Sequence, residues 1–389
     1  MRHGRALKLF LFVLFLTALI GCAVDTSKSI SEPSTLAETS TIMKEEVSAE
    51  EPQERGVAPK LSTPGLTAPQ VLTPLQVTPA VPATPLSISA LPGSFAIGTY
   101  RGNYRTAFGG GARTTEVIRT DAGTAGPWEK FRLFLVLGSG VPPQYAIQTA
   151  SANFMTALGG GGQSVDPIHT DAKQVQSWET FRFYLDQSTG FHAIQTVGMN
   201  YLTALGGGGH ADVPAVHTDA VKVDNWGKFH LWKCGDLSTN WYYEIWVPYN
   251  GTLLMAMDGG GRTKDALHAY EAPHDYWGRF QVVRQNDGSY AIRTFKGNDL
   301  TAVGGGGLAS GTPDADVIQT NRTQVQDWEK FRFIDQGDCT YAIQTLSGWF
   351  LGFPPSHIVD GHIASFTTRI SDINHALKFR LIATGVGQS

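Results

Sequence analysis

Residues 145–183 read YAIQTASANFMTALGGGGQSVDPIHTDAKQVQSWETFRF, and this order of features recurs through most of the chain. The block closes with a Trp-Glu-x-Phe motif, and its tryptophan recurs five times with spacings of 50, 48, 51 and 51 residues. A sixth block lacks the tryptophan but keeps Phe379, which follows Phe331 by 48 residues. A fixed period of about fifty residues indicates that each block is one supersecondary unit.

Each block is predicted to form four short β-strands. Within residues 145–149, Tyr, Ile and Thr alternate with Ala and Gln, and residues 290–294 and 341–345 show the same alternation. A period of two is typical of a strand with one buried face. One four-stranded unit cannot cover that face, so several units must pack around a common axis. The six blocks predict an all-β protein with two tandem β-trefoil domains, or alternatively one six-bladed β-propeller.

The first 22 residues are expected to be a lipoprotein signal peptide. Three basic side chains lie within the first eight residues, and an apolar run over residues 9–20 follows. That run is short for a membrane span and suits a secretory signal. It ends in Leu-Ile-Gly-Cys, which resembles the bacterial lipobox and implies cleavage before Cys22 and acylation of that cysteine, palmitate included. An ordinary signal peptide with an incidental cysteine is the alternative.

The lipobox resemblance also implies a location in the bacterial cell envelope. Ala23 follows the cysteine, where an Asp would resemble an inner-membrane retention signal, so the outer membrane or outer surface is favoured. Residues 23–92 are rich in Pro, Ser, Thr and Ala. Such a composition buries too little apolar surface to fold. It predicts a disordered tether that holds a folded part, residues 93–389, away from the membrane.

Charge and composition limit the classes of partner and cofactor that are expected. The formal net charge is −4, and Lys and Arg are scattered rather than clustered, so nucleic acid is not expected. Membrane contact is expected only through the lipid. Equivalent histidines recur about fifty residues apart, which does not bring them to one metal ion, and no catalytic or cofactor motif is present. We therefore expect no metal, no cofactor and no enzymatic activity. Cys234 and Cys339 are compatible with a disulfide or with two free thiols.

The repeat resembles a known family. The order Ala-Ile-Gln-Thr, Asn-aromatic-x-Thr-Ala-Leu, Gly-Gly-Gly-Gly and Trp-Glu-x-Phe-Arg resembles the fascin-like, actin-crosslinking type of β-trefoil repeat. The resemblance implies three repeats per trefoil, with domains at 93–236 and 237–389. Its best-known members bundle actin, whereas bacterial modules of this kind often accompany secreted glycosidases and bind carbohydrate. This chain carries no accompanying catalytic domain.

The Gly runs and the closing motif are interpreted as structural. The Gly runs are expected to supply positive φ and close backbone approach where the hairpins pack at the trefoil axis. The tryptophans could stack on sugars, but their fixed place beside the phenylalanines favours the core. The predicted repeat core comprises Trp128, Phe131, Trp178, Phe181, Trp226, Phe229, Trp277, Phe280, Trp328, Phe331 and Phe379.

Ligand-binding residues should be polar, carried on loops and variable between lobes. A carboxylate beside an imidazole can accept and donate hydrogen bonds to paired sugar hydroxyls, and a tyrosine adds an aromatic face. Asp171 and Asp219 could instead cap turns. The candidate ligand-binding residues are His169, Asp171, His217, Asp219, Asn153, Asn200, Tyr201, Arg119, Asp121, Gln319 and Asn321.

Three functions compete at this stage. The first is a lipid-anchored surface protein that recognises a polysaccharide or glycoconjugate through trefoil loops. The second is a protein-binding or filament-crosslinking scaffold of the fascin type. The third is a propeller-type hydrolase. The resemblance favours carbohydrate binding.

Replacing Cys22 by Ser should abolish membrane association and leave the folded part intact, because the acyl chains provide the only predicted anchor. Fractionation of cells that express the variant checks this, with circular dichroism as the folding control. A Ser variant that still pellets with membranes contradicts the lipobox interpretation.

Overall fold

The computed structural model describes residues 85–212, 214–239, 241–249, 251–270, 275–308, 317–353 and 366–386. All of these residues fall within one compact unit. The predicted signal peptide, the lipidation site Cys22 and tether residues 23–84 lie outside the described residues.

The described part of the chain contains β-strands and short 3-10 helices, and it contains no α-helix. The strands of lobes one to three, with a short leading strand, are β1 (Ile88–Ala90), β2 (Ser94–Thr99), β3 (Tyr104–Ala107), β4 (Ile118–Ala122), β5 (Lys130–Val136), β6 (Tyr145–Gln148), β7 (Phe154–Ala157), β8 (Ile168–Ala172), β9 (Thr180–Leu185), β10 (His192–Thr196), β11 (Tyr201–Ala204), β12 (Val216–Ala220) and β13 (Phe229–Cys234). Those of lobes four to six are β14 (Trp241–Val247), β15 (Thr252–Ala256), β16 (Leu267–Tyr270), β17 (Arg279–Arg284), β18 (Tyr290–Arg293), β19 (Asp299–Ala302), β20 (Ile318–Arg322), β21 (Phe331–Asp335), β22 (Tyr341–Thr345), β23 (Phe350–Gly352), β24 (Thr367–Ile370) and β25 (Lys378–Val386). The 3-10 helices are η1 (Phe108–Gly110), η2 (Pro127–Glu129), η3 (Leu158–Gly160), η4 (Ser177–Glu179), η5 (Leu205–Gly207), η6 (Asn225–Gly227), η7 (Met257–Gly259), η8 (Tyr276–Gly278), η9 (Val303–Gly305), η10 (Asp327–Glu329) and η11 (Ile373–His375).

The first three lobes close into a six-stranded antiparallel barrel. Its strands follow the order β2, β5, β6, β9, β10 and β13, and β13 pairs back with β2 over six residues. The remaining strands form one hairpin per lobe, namely β3–β4, β7–β8 and β11–β12. A closed barrel with three equivalent hairpins is the β-trefoil arrangement.

The last three lobes repeat this closure. Their barrel order is β14, β17, β18, β21, β22 and β25, and β25 pairs back with β14. The hairpins are β15–β16, β19–β20 and β23–β24. The structure confirms the all-β fold of two tandem β-trefoils. It excludes a six-bladed propeller, in which each repeat would form a separate blade.

The Gly runs join each lobe to the next. After the run of lobe two, the backbone N–H of Gly162 donates to the carbonyl of Thr218 in lobe three at 2.8 Å. The N–H of Thr218 donates to Gln163 at 2.9 Å, and the N–H of Gln163 donates to the Thr218 hydroxyl at 3.1 Å. The threonines that occupy this position are fully buried: Thr120, Thr170, Thr218, Thr320 and Thr368.

The Gly161 position of each run, which is Gly260 in lobe four, must lack a side chain. Gly161 has φ 110° and ψ −173°, a region that only glycine populates readily. A Cβ there would lie 2.2 Å from the Thr196 hydroxyl oxygen of the next lobe. The same 2.2 Å approach joins Gly111 to Thr149 and Gly208 to Thr99. The predicted positive φ and close backbone approach are therefore confirmed.

One joint lacks both partners in the sequence. The sixth lobe has Phe353, Pro354 and Pro355 where the others have a Gly run. By the threefold order, that run would bond to lobe four, which has Ala269 in place of the threonine. The Gly run and the threonine are expected to be lost together if the role of the threonine is to bond to the Gly run. Residues 354–365 lie outside the described residues.

The predicted tether is wrong over its last eight residues, 85–92. Ile88, Ser89 and Ala90 form β1 and pair with the free end of β5, which extends beyond its contact with β2. The ammonium of the buried Lys233 also donates to the Pro92 carbonyl at 2.5 Å. An unpaired strand end offers backbone hydrogen bonds to any adjacent extended segment, and composition alone did not reveal that partner.

The two barrels are linked covalently and by packing. A disulfide joins Cys234 at the end of β13 to Cys339 in the β21–β22 turn, with a Cα–Cα distance of 4.4 Å. Trp232 pairs with Ile382 across the barrels. The guanidinium of Arg380 lies 5.5 to 5.9 Å from three ring centroids, those of Tyr104, Trp232 and Trp246.

The core of the first barrel contains one unpaired cation. Arg105 is fully buried, and in the part of the chain that the structure describes its one polar contact is with the Met155 sulfur at 3.6 Å. Its Nε and one terminal nitrogen have no hydrogen-bond partner within the described residues. Burial lowers the pKa of the guanidinium to about 10, so it stays charged at neutral pH. The same strand position holds Met155 and Leu202 in the next two lobes, so the charge is peculiar to lobe one of this barrel.

Replacing Gly161 by Ala should lower the free energy of unfolding by about 3 to 5 kcal/mol, because the new Cβ adds overlap with Thr196 to an unfavourable backbone conformation. Gly102→Ala is the matched control, since Gly102 also has positive φ but its Cβ would meet nothing within 4 Å. That control should cost only about 1 kcal/mol. Denaturant unfolding measures both, and equal losses would show that the lobe contact contributes nothing.

Candidate functional site

The Trp-Glu-x-Phe motif has a core side and a surface side. The prediction that its tryptophans belong to the core is wrong: four of them are 45 to 47 % exposed, and Trp277 is partly buried. The exposed four are Trp128, Trp178, Trp226 and Trp328. The phenylalanines of the motif are at most 1 % exposed, and these are Phe131, Phe181, Phe229, Phe280, Phe331 and Phe379.

The glutamate of the motif explains this orientation. In η4, the Glu179 carboxylate is buried, accepting the Gln176 N–H at 2.8 Å and the Thr156 hydroxyl at 2.7 Å. Successive residues of a 3-10 helix point about 120° apart, so an inward Glu179 turns Trp178 outward. The edge of the indole covers Gly160, where a Cβ would lie 3.6 Å from Cδ1 and Nε1. The tryptophan therefore seals a lobe joint with one edge and exposes the remainder.

Two lobes hold the same turn with a displaced carboxylate. Gly227 and Gly278 replace the glutamate in lobes three and four. The side chain of Asp224 then accepts the N–H of Trp226 at 2.9 Å, and Asp275 does the same in lobe four. The turn geometry, and with it the outward tryptophan of lobe three, survives because a carboxylate still satisfies the free N–H groups.

An open cleft of about 800 Å³ lies beside the exposed tryptophan of lobe five. It runs from the end of β20 to η10, so the loop between the third strand and the closing motif forms its floor and walls. Its lining residues are Asn321, Arg322, Thr323, Gln324, Gln326, Asp327, Trp328 and Glu329. Amide, guanidinium, hydroxyl and carboxylate groups thus surround one aromatic ring.

Charged groups beside the cleft are held by an ion-pair network. The Lys330 ammonium lies 3.1 Å from a carboxylate oxygen of both Asp287 and Asp327. Hydrogen bonds to Asp287 and then Asp327 raise the pKa of Lys330, and a hydrogen bond from the Ser289 hydroxyl is the main cause of a lowered pKa at Asp287. Both shifts favour the charged forms of Lys330 and Asp287, and the Lys330 ammonium orients the Asp327 side chain. Inside the cleft, the buried Asn321 Oδ1 has no hydrogen-bond partner within the described residues.

The sequence-predicted candidates do not converge on one site, because each lies in its own lobe. Asn321 is the one that the structure places in the cleft. Asn153, predicted to donate to a ligand, is buried and donates instead to the Asp171 carbonyl at 2.8 Å, so that prediction is wrong. Asn200 faces the lobe joint, with its Oδ1 3.5 Å from a Cβ placed on Gly162.

The carboxylates of Asp171 and Asp219 are exposed, as is that of Asp121. His217 lies 3.9 Å from Asp219, whereas the imidazole of His169 contacts Asp166 at 3.0 Å. Three further candidates are partly buried on their strands, and these are Tyr201, Arg119 and Gln319.

Sequence reasoning missed the tryptophans and the charged cleft residues Arg322 and Asp327. A signal was present in the capping pattern. In lobes two and five, Gln stands three residues before the motif's Glu, and a Gln-x-x-Glu order at a turn indicates that the glutamate folds back on the backbone. A motif whose glutamate is inward leaves the preceding residue outside.

A second, apolar pocket of about 280 Å³ lies where the three hairpins of the first barrel meet. Val117, Ile118, Ile168 and Val216 line it. The acidic side chains at its rim, Glu116 and Asp166, are engaged by Arg113 and His169 respectively. A ligand rich in hydroxyl groups would leave its polar groups unsatisfied there.

The described residues contain no group of three or more His, Cys, Asp or Glu side chains arranged to hold a metal ion. They also include no helix of the length and apolarity needed to cross a membrane.

No protein-family model and no curated protein matches the chain. Among solved structures it is similar to a mosquitocidal holotoxin (11% identity, 74% of this chain, TM-score 0.32), spanning 34% of the toxin's length. It is also similar to the designed three-fold symmetric protein ThreeFoil (18% identity, 36% of this chain and 97% of that one, TM-score 0.31). A third likeness is to the BEL β-trefoil in an apo form (13% identity, 39% of this chain and 97% of that one, TM-score 0.30). The trefoil assignment follows from the strand pairing of the chain itself.

Replacing Phe181 by Ala should cost about 3 to 5 kcal/mol of stability, the usual loss for a fully buried aromatic ring. Trp178→Ala should cost only about 1 to 2 kcal/mol, because nearly half of the side chain is already in water. Denaturant unfolding of the two variants checks the contrast. Equal losses of stability in the two variants would show that Trp178 contributes to the core as Phe181 does.

Proposed function

We propose that the chain is a carbohydrate-binding protein whose sites are the surfaces beside the outward tryptophans of the lobes. The observation that carries this proposal is the lobe-five cleft, in which half-exposed Trp328 stands among Asn321, Arg322, Gln324 and Asp327. An enzymatic role is not proposed, because no catalytic motif accompanies this cleft.

The chemistry of the cleft suits a sugar. The C–H face of a pyranose is apolar and stacks on an aromatic ring, whereas its hydroxyl groups need planar donors and acceptors at the ring edge. Amide and carboxylate groups provide both. An open, shallow surface leaves much of the sugar in water, so one site is expected to bind weakly.

Repetition compensates for weak single sites. Trp128, Trp178 and Trp226 are exposed to the same extent as Trp328, at equivalent positions of their lobes. Linked sites that bind one repeating polymer raise avidity by about 10² to 10⁴ without new contacts. A polysaccharide or a glycoconjugate with repeated units is therefore the proposed partner.

The finer parts of the proposal come from the sequence. We place the protein in the bacterial envelope as a lipid-anchored, fascin-like lectin, on the strength of the lipobox and the repeat motif. The scaffold of the fascin type is the second candidate, and the exposed pair of rings of Tyr276 and Phe295 favours it, since their centroids lie 4.7 Å apart on the surface. The propeller-type hydrolase is not proposed further, because the chain does not have the propeller fold on which that alternative rested.

Trp328→Ala should reduce retention on an insoluble polysaccharide roughly tenfold, and Trp178→Ala with Trp328→Ala should reduce it further than either change alone. Tyr249→Ala is the matched control, because Tyr249 is 76 % exposed in the β14–β15 turn and lies outside the lobe clefts. Pull-down across a set of glycans measures retention, with thermal unfolding as the folding control.

Two outcomes contradict the proposal. Unchanged retention of the double tryptophan variant removes these surfaces from the site. If the wild-type chain binds no glycan and instead sediments with a protein filament, the scaffold function replaces carbohydrate binding.

A further inference from the structure

The tryptophan surface of lobe one differs from the others in charge. Phe108, the first residue of η1, packs edge-on against Trp128 with ring centroids 6.0 Å apart. The Arg119 guanidinium lies 3.7 Å from the Phe108 centroid, and that of Arg113 lies 5.0 Å from it. One phenylalanine thus holds two cations beside an exposed indole.

The equivalent positions of the other lobes lack this arrangement. Lobe two has Leu158, Gln163 and His169 where lobe one has Phe108, Arg113 and Arg119. The comparison holds position by position, because Thr106 pairs with Arg119 as Thr156 pairs with His169. The aromatic ring and the two arginines therefore occur together in one lobe on an otherwise shared backbone.

Neither guanidinium is neutralised by a strong ion pair. Arg119 forms no ion pair within 4 Å in the part of the chain that the structure covers, and its buried Nε lacks a hydrogen-bond acceptor there. Arg113 meets Glu116 at a marginal 3.5 Å and remains one-third exposed. By contrast, Arg262, which occupies the Arg113 position in lobe four, contacts Asp258 at 2.7 Å and Asp265 at 3.7 Å.

We propose that lobe one binds a sugar that carries an oxyanion, either a carboxylate or a sulfate, next to its pyranose ring. The proposal rests on the carbohydrate-binding function above and names the class of sugar. Stacking on Phe108 fixes the plane of a guanidinium, and a fixed planar fork matches a carboxylate or sulfate group. Trp128 would then contact the sugar ring while Arg113 and Arg119 hold its acidic substituent.

The test removes the charges by giving lobe one the side chains of lobe two. Arg113→Gln with Arg119→His introduces the side chains that lobe two carries at the equivalent positions, Gln163 and His169. Arg262→Gln with Arg284→Gln removes the same number of charges from the second barrel and is the control. Retention of the full-length chain is measured on two pairs of polymers: polygalacturonate against its methyl ester, and dextran sulfate against dextran.

The wild type and the control should prefer the acidic member of at least one pair by about tenfold, and salt should weaken that preference. The lobe-one double variant should lose the preference and keep its binding to the neutral member. The pair that shows the effect distinguishes a carboxylate from a sulfate. Equal retention of acidic and neutral polymers by the wild type, or an unchanged preference in the double variant, overturns the proposal.

A second measurement tests the anion site of lobe one separately from the carbohydrate-binding function. Inorganic sulfate, added at ionic strength held constant with chloride, should shift the indole resonance of Trp128 in a spectrum of ¹⁵N-tryptophan-labelled chain, assigned with Trp128→Phe. The double variant should show no shift. A shift without retention of any polymer supports the anion site and contradicts carbohydrate binding, whereas glycan retention without a sulfate-induced shift contradicts the anion site alone.

Discussion

The absence of a side chain at the Gly161 position of the Gly runs is the constraint on which the molecule depends. At Gly161 the backbone of one lobe passes so close to Thr196 of the next that a Cβ would overlap its hydroxyl. That approach lets the following N–H groups bond to a buried threonine in the neighbouring lobe. A four-stranded lobe cannot bury its own apolar face, so these joints support the strand pairing that closes three lobes into a barrel.

Because the joints use backbone groups, the outward side chains are free to differ between lobes. The residue two positions after the Gly161 position is Arg113 in lobe one and Gln163 in lobe two, yet both donate the same backbone hydrogen bond to a threonine. The third strand likewise carries Arg119 or His169 at one register position. One scaffold can therefore present chemically distinct surfaces, which is the arrangement that a multivalent binding protein requires.

The connection between the barrels gives those surfaces a fixed spacing. A disulfide, a strand pair and a cation packed among three aromatic rings join the first trefoil to the second. A flexible linker lowers the effective concentration for the second binding event. A rigid connection keeps that concentration high only for ligands whose length matches the distance between the sites. The proposed sites thus favour an extended polymer over short free sugars.

The sequence by itself determined the six lobes of short strands and the burial of phenylalanines such as Phe181, because a fixed period with alternating apolar residues has few ways to close. It left two trefoils and one propeller open, and the strand pairing that closes each barrel decided between them. It also indicated why the Gly runs recur. It did not determine which side of the closing motif faces water. Recurrence in every lobe is equally typical of a core residue and of one that seals a joint, and only the inward Glu179 and the packing of the indole edge over Gly160 decide that Trp178 lies outside. Likewise, composition predicted disorder through residue 92, but the free end of β5 supplied residues 88–90 with a partner that lies far away in sequence. Burial and pairing depend on neighbours that only the tertiary structure brings together.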